Sequence, residues 1–340
     1  MKGKKIVSTL LALLLLASLP VSAHAATWDI GKGDITVNAE SGGQTVTQGG
    51  GAAIPDSAPV ITGTSKENNV TINADSGQTA SVTLSGVNID VRDKGKAAVS
   101  TTGEGNVSIE LNGGSTLRSG YEHAGLEKNN GGSLTIADEN KNGKLTAKGG
   151  DYGAGIGGGW RGSGSDITIS GGEVNATGGV NGAGIGGGCY GYGNNITVSG
   201  DAKLKVQGGV EDNIDGAGAG IGNGGSSDER AIPVTGAEVE PDTSGLTTNG
   251  SIEYYAPGAD MEKDKPEKTT VGTLSPQEKP IEPIEPAVPE QPEAERGMDA
   301  PLYRVTDKDG RDIVYTAERK DGVLTVNVDE DFAILTGRLS

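Results

Sequence analysis

The sequence predicts an all-β protein built as a parallel β-solenoid, in which short strands stack coil upon coil. Three observations predict this fold. Glycine supplies 59 of 340 residues, whereas Phe, Trp and Tyr supply only 1, 2 and 8, which excludes a thick core of large aromatic side chains. A glycine-rich segment recurs about every 29 residues. Two alternating strand patterns keep that spacing, and no stretch after residue 25 shows the helical period of about 3.6 residues.

Residues 1–25 are expected to be a secretory signal peptide. Three lysines near the start precede an apolar stretch at residues 6–19, which is shorter than the roughly 20 residues that span a bilayer. Residues 23–25 provide a small-x-small site, so cleavage is expected before Ala26. We therefore expect an extracellular protein, secreted or associated with the cell surface, that is monomeric and has no membrane span.

The recurring segment is Gly-Ala-Gly-Ile-Gly-Gly-Gly at residues 153–159, which returns at 182–188 and, altered, at 217–224. Its central apolar residues are Ile156, Ile185 and Ile221, with Leu126 in a degenerate upstream copy. The last spacing is longer because of an insertion near residues 211–215. Glycine is needed where the coil bends sharply or two backbones approach closely.

Two alternating runs complete each repeat. The first run occupies residues 107–109, 134–136, 167–169 and 196–198, and the second occupies 116–117, 145–147, 174–176 and 204–206. Three short strands in about 29 residues are typical of one solenoid coil. The side chains expected to point inward are Ile136, Ile156, Ile167, Ile169, Ile185, Ile196 and Ile221.

Together with the signal peptide, these patterns define four regions. Residues 26–230 are assigned to the parallel β-helix, with less regular coils before residue 102 and a cap at residues 28–30. Residues 231–301 are predicted to be a disordered Pro/Glu-rich linker, because nine of the 14 prolines lie between Pro257 and Pro301. Residues 302–340 are predicted to form a small β module with hairpin turns at 309–310 and 321–322. Because about 40 residues are marginal for independent folding, this module is expected to be incomplete or to need a partner.

Charge and residue counts exclude several classes of function. The formal net charge is −18, and loss of a lysine-bearing signal peptide makes it more negative, so nucleic acid is not an expected partner. Cys189 is the only cysteine, and His123 is the only histidine after residue 25. An intramolecular disulfide and a Cys- or His-based metal cluster are therefore excluded. A Ser-His-Asp triad could be built only around His123, which we interpret as a polar turn residue because no Gly-x-Ser-x-Gly motif accompanies it.

The motifs resemble those of secreted carbohydrate-binding-domain-containing proteins of Gram-positive, often gut-associated bacteria. The likeness covers about residues 27–225 and rests on residues 28–30, 124–129, 134–140 and the glycine-rich repeat followed by Ile-Thr-Ile-Ser-Gly-Gly. It implies a right-handed parallel β-helix similar to that of pectate lyases, a role in binding polysaccharide, and calcium as a ligand. The matching residues are mostly structural glycines, so they specify architecture far more than ligand.

A cluster of aromatic residues around the glycine motifs is the predicted glycan-binding site. Its members are Tyr152, Trp160, Arg161, Tyr190 and Tyr192. Trp160 and Tyr190 lie about one repeat apart in the sequence, so we expect them to stack on one face with Arg161 beside them. The alternative is ring stacking that only shields a loop.

Asp138, Asn140 and Asn142, followed by Gly143, match the opening of a calcium-binding loop. Gly149 occupies the position of the bidentate acid, so the segment is not an EF-hand. An ordinary Asp/Asn turn is the alternative.

A lyase or hydrolase of this fold would need acidic groups and a base in one cleft. The candidate groups, Asp151, Arg161 and Asp166 or Asp90, Arg92 and Asp93, form no pattern that identifies a catalytic site. We therefore expect a non-catalytic surface protein that binds polysaccharide or host glycan. The alternatives are a polysaccharide lyase or glycoside hydrolase, and a structural spacer or adhesin stalk of the cell envelope.

Overall fold

The computed structural model describes residues 25–227 and 233–275, together with four strands between residues 303 and 337. The chain divides into two units, residues 1–277 and 278–340. In the first unit, three sheets share one core, and the chain passes through sheets 1, 2 and 3 in turn before starting the next coil. Strands of successive coils pair in parallel, which confirms the predicted β-solenoid.

The strands of each sheet follow one another in space, coil after coil. Sheet 1 contains Thr27–Asp29, Val60–Thr62, Thr79–Ser85, Asn106–Asn112, Leu134–Ala137, Gly164–Ile169 and Gly193–Val198. Sheet 2 contains Thr64–Ser65, Asn88–Asp90, Gly114–Arg118, Lys144–Lys148, Glu173–Thr177, Lys203–Gln207, Ser251–Tyr255 and Lys268–Val271. Sheet 3 contains Ile54–Pro55, Gly43–Gln48, Ile35–Glu40, Val70–Ala74, Val99–Gly103, Leu126–Lys128, Ile156–Gly157, Ile185–Gly186 and Ile221–Gly222.

Antiparallel pairing occurs at the ends of the solenoid. Gly43–Gln48 pairs with Ile35–Glu40 and with Ile54–Pro55 at the first end of sheet 3, and Lys268–Val271 pairs with Ser251–Tyr255 at the last end of sheet 2. Ser226–Ser227 also pairs with Pro233–Val234. A 3₁₀ turn, Ile30–Lys32, follows the first strand, where Trp28 packs against the core.

Ladders of apolar side chains one repeat apart fill the interior. Ile156 lies opposite Ile185, and Ile185 lies opposite Ile221. The isoleucines predicted to point inward are all at most 2% exposed: Ile136, Ile156, Ile167, Ile169, Ile185, Ile196 and Ile221. Burial of one such side chain stabilises the fold by about 1.5–3 kcal/mol, so a thin aliphatic core suffices without large aromatic rings.

Glycine is required in sheet 3 because the coils approach one another closely there. Gly157, Gly186 and Gly222 have φ angles of 134°, 132° and 140°, a region that disfavours other residues. A Cβ on Gly157 would lie 2.0 Å from the carbonyl oxygen of Gly186, and one on Gly186 would lie 2.0 Å from that of Gly222. This glycine ladder explains the repeated motif.

The solenoid extends beyond residue 230, its predicted end. Ser251–Tyr255 continues sheet 2 by pairing in parallel with Lys203–Gln207. The register joins Leu204 to Ile252, a step much longer than one repeat, so the repeat period is lost although the sheet continues. Of the predicted linker, residues 276–301 lie outside the described residues, as does the predicted signal peptide up to residue 24.

Residues between the last regular coil and Ser251 cover the end of the solenoid. The Glu238 carboxylate accepts the backbone N–H groups of Gly220 at 2.7 Å and Ile221 at 3.2 Å. Single bridges join Thr197 to Asp242 and Gly200 to Leu246. These contacts satisfy sheet edges that would otherwise expose unpaired backbone groups.

The described residues of the second unit form two antiparallel strand pairs. Tyr315–Lys320 pairs with Val323–Val328 across the turn predicted at residues 321–322. Tyr303–Thr306 pairs with Ile334–Gly337 and not with the next strand, so the hairpin predicted at residues 309–310 is not formed by these strands. Among the described residues, the structure contains no helix of the length and apolar character that a membrane span needs.

Candidate functional site

The five predicted glycan-binding residues, here called the aromatic strip (Tyr152, Trp160, Arg161, Tyr190 and Tyr192), lie in loops that flank the short strands of sheet 3. The loop before Ile156–Gly157 and the loop after it are tied together by a hydrogen bond from the Ala154 N–H to the Gly158 carbonyl at 3.0 Å. The same bond joins Ala183 and Gly187 at 2.9 Å in the next coil. The loop before each of these strands therefore lies next to the loop after it, although the two loops are separated in the sequence.

The register places Arg161, not Trp160, beside Tyr190. The N–H of Arg161 donates to the carbonyl of Cys189 at 2.8 Å, and Gly164 pairs with Gly193 on the next coil. In this register Arg161 is the counterpart of Tyr190, and Trp160 is displaced from it by one position. The arrangement therefore differs from the predicted direct stacking of the two rings.

Arg161 joins the two rings instead. Its guanidinium carbon lies 4.5 Å from the ring centre of Trp160 and 5.6 Å from that of Tyr190, within the range of cation–π attraction. Trp160 is 42% exposed and Tyr190 is 37% exposed. Both rings therefore keep an exposed surface while each contacts the same arginine.

Three residues of the aromatic strip have left-handed backbone conformations. The φ angles of Tyr152, Arg161 and Tyr190 are 71°, 59° and 63°, which are uncommon for residues with a side chain. Glu122 and Asn181, one repeat before and after Tyr152, have φ angles of 69° and 61°. The coil itself therefore imposes this conformation and fixes the direction of the side chains.

The long loop near residues 211–215 contributes two carboxylates that the sequence pattern did not assign to the site. The Tyr152 hydroxyl donates to Asp212 at 3.4 Å, and the Tyr190 hydroxyl donates to Asp215 at 2.6 Å. The signal for this loop is the break in the period, since Ile185 and Ile221 pair in register although their separation in sequence exceeds one repeat. The insertion thus orients two tyrosines of the preceding coils.

These contacts also raise the pKa values of both phenol groups. Burial raises the pKa of Tyr152 to about 12, and the nearby Asp212 carboxylate adds to the effect. The hydrogen bond to Asp215 raises the pKa of Tyr190, against a smaller opposing effect of Ser227. Both hydroxyls therefore remain donors at neutral pH.

Tyr121 extends the aromatic strip to the preceding coil, and the sequence pattern did not single it out. Its ring meets that of Tyr152 edge to face, with 5.4 Å between ring centres and an angle of 80°. Tyr121 is 54% exposed, and it precedes Tyr152 by about one repeat in the sequence. Tyr192 is 65% exposed and shares the loop of Tyr190.

A groove of about 280 Å³ adjoins Tyr121. It lies where consecutive strands of sheet 2 end and the following loops begin. Its charged and aromatic lining residues are Arg92, Asp93, Arg118, Tyr121, Lys148 and Asp151. We call it the basic groove, since three of these side chains are cationic on a strongly acidic protein.

Two of the three candidate calcium residues, Asp138 and Asn142, line a second groove of about 850 Å³ on the turns between sheets 1 and 2. The Asp138 carboxylate accepts the backbone N–H groups of Asn142 at 3.2 Å and Gly143 at 3.0 Å. The Asn142 side chain bonds to Asn112 and to the N–H of Gly113, and Asn140 is exposed. The Asp138 carboxylate thus stabilises its own turn, and the Asn142 side chain bonds to the neighbouring coil.

No group of three or more His, Cys, Asp or Glu side chains suited to a metal ion occurs in the part of the chain that the structure describes. Of the residues considered for catalysis, Asp90 pairs with Arg92 at 2.5 Å and Asp166 bonds to Asn195. His123 is half-buried and bonds through Nδ1 to Glu127 Oε2 at 2.8 Å. These contacts are typical of structural roles.

The geometry defines a β-solenoid with one exposed aromatic strip and an adjoining basic groove. Comparisons with protein-family profiles, with curated proteins and with solved structures find no match to this chain. What the protein does must therefore be inferred from the chemistry of these two surfaces.

Proposed function

We propose that this protein binds polysaccharide or glycan without catalysing a reaction, and that the aromatic strip forms the binding surface. The observation that supports this most directly is the pair of exposed rings, Trp160 and Tyr190, each within cation–π distance of the Arg161 guanidinium. The apolar faces of sugar rings pack on such aromatic surfaces, and neighbouring polar groups hydrogen-bond to the hydroxyls.

A preorganised site favours this interpretation over a shielded loop. The coil imposes the backbone of Arg161 and Tyr190, and Asp215 holds the Tyr190 hydroxyl. Side chains that are held before binding lose less conformational entropy on binding, which increases affinity. An aromatic ring that only covered a loop would have no need to remain more than a third exposed, as both rings are.

The repeat architecture suits a polymeric ligand. Consecutive coils are separated by the strand spacing of about 4.8 Å, and Tyr121, Tyr152 and Tyr190 lie on three successive coils. A saccharide chain that runs along the solenoid axis would meet one aromatic side chain after another. The proposal includes export of the chain, because glycans of this kind occur outside the cell. N-terminal sequencing of protein recovered from the medium or the cell surface tests that part.

The test is a glycan array followed by calorimetry on the ligands that respond. Trp160→Ala is expected to weaken binding at least about tenfold, since a factor of ten corresponds to about 1.4 kcal/mol. Its melting temperature is expected to change little because the ring is partly exposed. Ile54→Ala is the matched control, because Ile54 is 52% exposed on the hairpin at the other end of the solenoid.

Two results would contradict the proposal. If Trp160→Ala lowers the melting temperature and leaves binding intact, the ring is a packing element and the structural-spacer function is favoured. If the bound glycan is cleaved to reducing-end or unsaturated products, the protein is a hydrolase or lyase.

A further inference from the structure

In the described part of the chain, two cations of the basic groove form no ion pair. Arg118 and Lys148 lie directly opposite each other on neighbouring strands of sheet 2, where like charges are destabilising. Both side chains are exposed. Within the described residues, neither one forms a hydrogen bond or ion pair with a carboxylate, whereas Arg92 is paired with Asp90. Arg118 also lies opposite Asp90 on its other neighbouring strand, but the Asp90 carboxylate is paired with Arg92. The groove therefore presents two exposed positive charges on a chain of net charge −18.

The groove also contains groups that a simple anion would not require. Asp93 and Asp151 contribute carboxylates that can accept hydrogen bonds from hydroxyl groups, and Tyr121 contributes an exposed ring. These carboxylates suit the hydroxyls of a sugar, which a simple inorganic anion does not offer to them. A sugar ring that also carries a negative charge would use all three kinds of group.

We propose that the basic groove binds a uronic acid unit of an acidic polysaccharide, with the carboxylate at Arg118 and Lys148 and the sugar ring against Tyr121. This proposal rests on the proposed function and names its ligand class. The Tyr121 ring contacts Tyr152 at 5.4 Å between centres, so one saccharide chain can pass from the groove onto the aromatic strip.

The test compares ligands that differ only in charge. A hyaluronan hexasaccharide is expected to bind the full chain at least tenfold more tightly than its carboxyl-reduced derivative, measured by calorimetry at fixed ionic strength. The double variant Arg118→Gln/Lys148→Gln is expected to lose that preference. Lys144→Gln removes the same charge from the strand of Lys148 and is expected to keep the preference.

The outcomes separate the two proposals. If both oligosaccharides bind equally and Trp160→Ala weakens both, the uronate site is overturned and the proposed function stands. If neither oligosaccharide binds and no glycan on the array binds, both proposals are overturned. If dextran sulfate oligosaccharides bind better than hyaluronan and the double variant abolishes that binding, the groove recognises sulfate and the uronate assignment is overturned.

A different observation concerns the first residue of the expected mature chain. Asp56 is 1% exposed, and its carboxylate accepts the Trp28 Nε1–H at 2.8 Å and the backbone nitrogen of Ala26 at 3.1 Å. Among the described residues, no Lys, Arg or His forms an ion pair with it. An ionised carboxylate buried without a counter-charge is costly.

Cleavage before Ala26 changes that nitrogen from an amide into an amine. Hydrolysis consumes one water molecule, leaves a carboxylate on Ala25 and gives Ala26 an ammonium group. We infer that this ammonium pairs with Asp56, so that removal of the leader completes a partly buried ion pair at the start of sheet 1. The Ala26 carbonyl already accepts the Val60 N–H at 2.9 Å, which holds the nitrogen in place.

A double-mutant cycle tests the ion pair. The chain that begins at Ala26 is compared with one that retains Ala25, in which Ala26 keeps an uncharged amide, each with and without Asp56→Asn. Asp56→Asn is expected to lower the melting temperature of the chain that begins at Ala26 by several degrees more than that of the longer chain. Equal effects in both chains, or an exported protein whose first residue is not Ala26, would overturn the inference.

Discussion

At the scale of single residues, His123 and Glu127 form the most buried ion pair in the described part of the chain. Glu127 also accepts the Ala124 N–H at 3.0 Å and the Asn129 amide at 2.7 Å. The hydrogen bond to Glu127 raises the pKa of His123. Burial raises the pKa of Glu127, but its hydrogen bonds with His123 and Asn129 oppose burial and the net pKa is lowered. The pair therefore stabilises the fold when both groups are charged.

This pair predicts a pH-dependent stability difference between wild type and His123→Gln. Because the folded-state pKa of His123 is raised, its contribution is fully present below about pH 6.5, its ordinary pKa, and is lost as pH rises through the raised value. At the acid end it is lost as pH falls through the lowered pKa of Glu127. We expect a maximum difference of about 1–2 kcal/mol, measured by urea denaturation across this range.

Lys94→Gln is the control, since its exposed pair with Glu67 contains no histidine. A stability difference that is the same at all pH values would contradict the proposed protonation of His123.

Cys189 is predicted to be chemically inert in the folded protein. The thiol is buried, and burial raises its pKa to about 12, with a further contribution from the Asp215 carboxylate. Thiolate is the reactive form. We therefore expect iodoacetamide to leave the native chain unmodified near neutral pH and to alkylate it fully in denaturant, as measured by mass. Alkylation of the native chain at the rate of free cysteine would refute this prediction.

At the scale of the structural element, the glycine ladder of sheet 3 limits which sequences can form the coil. Gly186→Ala places a Cβ 2.0 Å from a backbone oxygen of the next coil, at a φ of 132°. We expect a loss of at least about 2 kcal/mol in the free energy of unfolding. Chemical denaturation monitored by circular dichroism measures it.

Gly114→Ala provides the matched control for that substitution. Gly114 begins a strand of sheet 2, and a Cβ there would meet nothing within 4 Å. It is expected to change stability by less than about 1 kcal/mol. Equal losses for both variants would show that close approach of the coils is not the reason for glycine in sheet 3.

The strands and loops also show where the local sequence pattern no longer predicts which side chains lie next to each other. The isoleucine ladders were predicted because side-chain alternation and a constant period are local properties of the chain. The placement of Arg161 between Trp160 and Tyr190 depends on the register of the two coils at that loop, which a repeat of variable length does not specify. A displacement of one position decides whether two rings stack or a guanidinium separates them.

At the scale of the whole molecule, the first unit depends on its covered ends. Residues 237–255 bond to the last strands of all three sheets, through Glu238, Asp242 and the strand Ser251–Tyr255. Leu246 and Ile252 are fully buried there. The end of the core is therefore assembled from sequence that has no repeat pattern.

This predicts different behaviour for two shortened chains. A chain that ends at residue 277, the end of the first unit, is expected to unfold cooperatively. A chain that ends at residue 230 leaves the last coil uncovered and is expected to aggregate or to melt at a lower temperature, because parallel edges and apolar ladders are exposed. Thermal unfolding and size-exclusion chromatography measure both properties. Identical melting of the two chains would show that residues 231–277 do not stabilise the solenoid.

The sequence by itself determined the solenoid and the buried isoleucines. Periodicity carries this information because each coil repeats the same local backbone and the same alternation of side chains. Only the tertiary structure decided the role of Asp212 and Asp215, the contact of Tyr121 with Tyr152 and the closure of the core by residues 237–255. These contacts join residues outside the repeat to residues within it, and their distances depend on how loops of unequal length fold back onto the stacked coils.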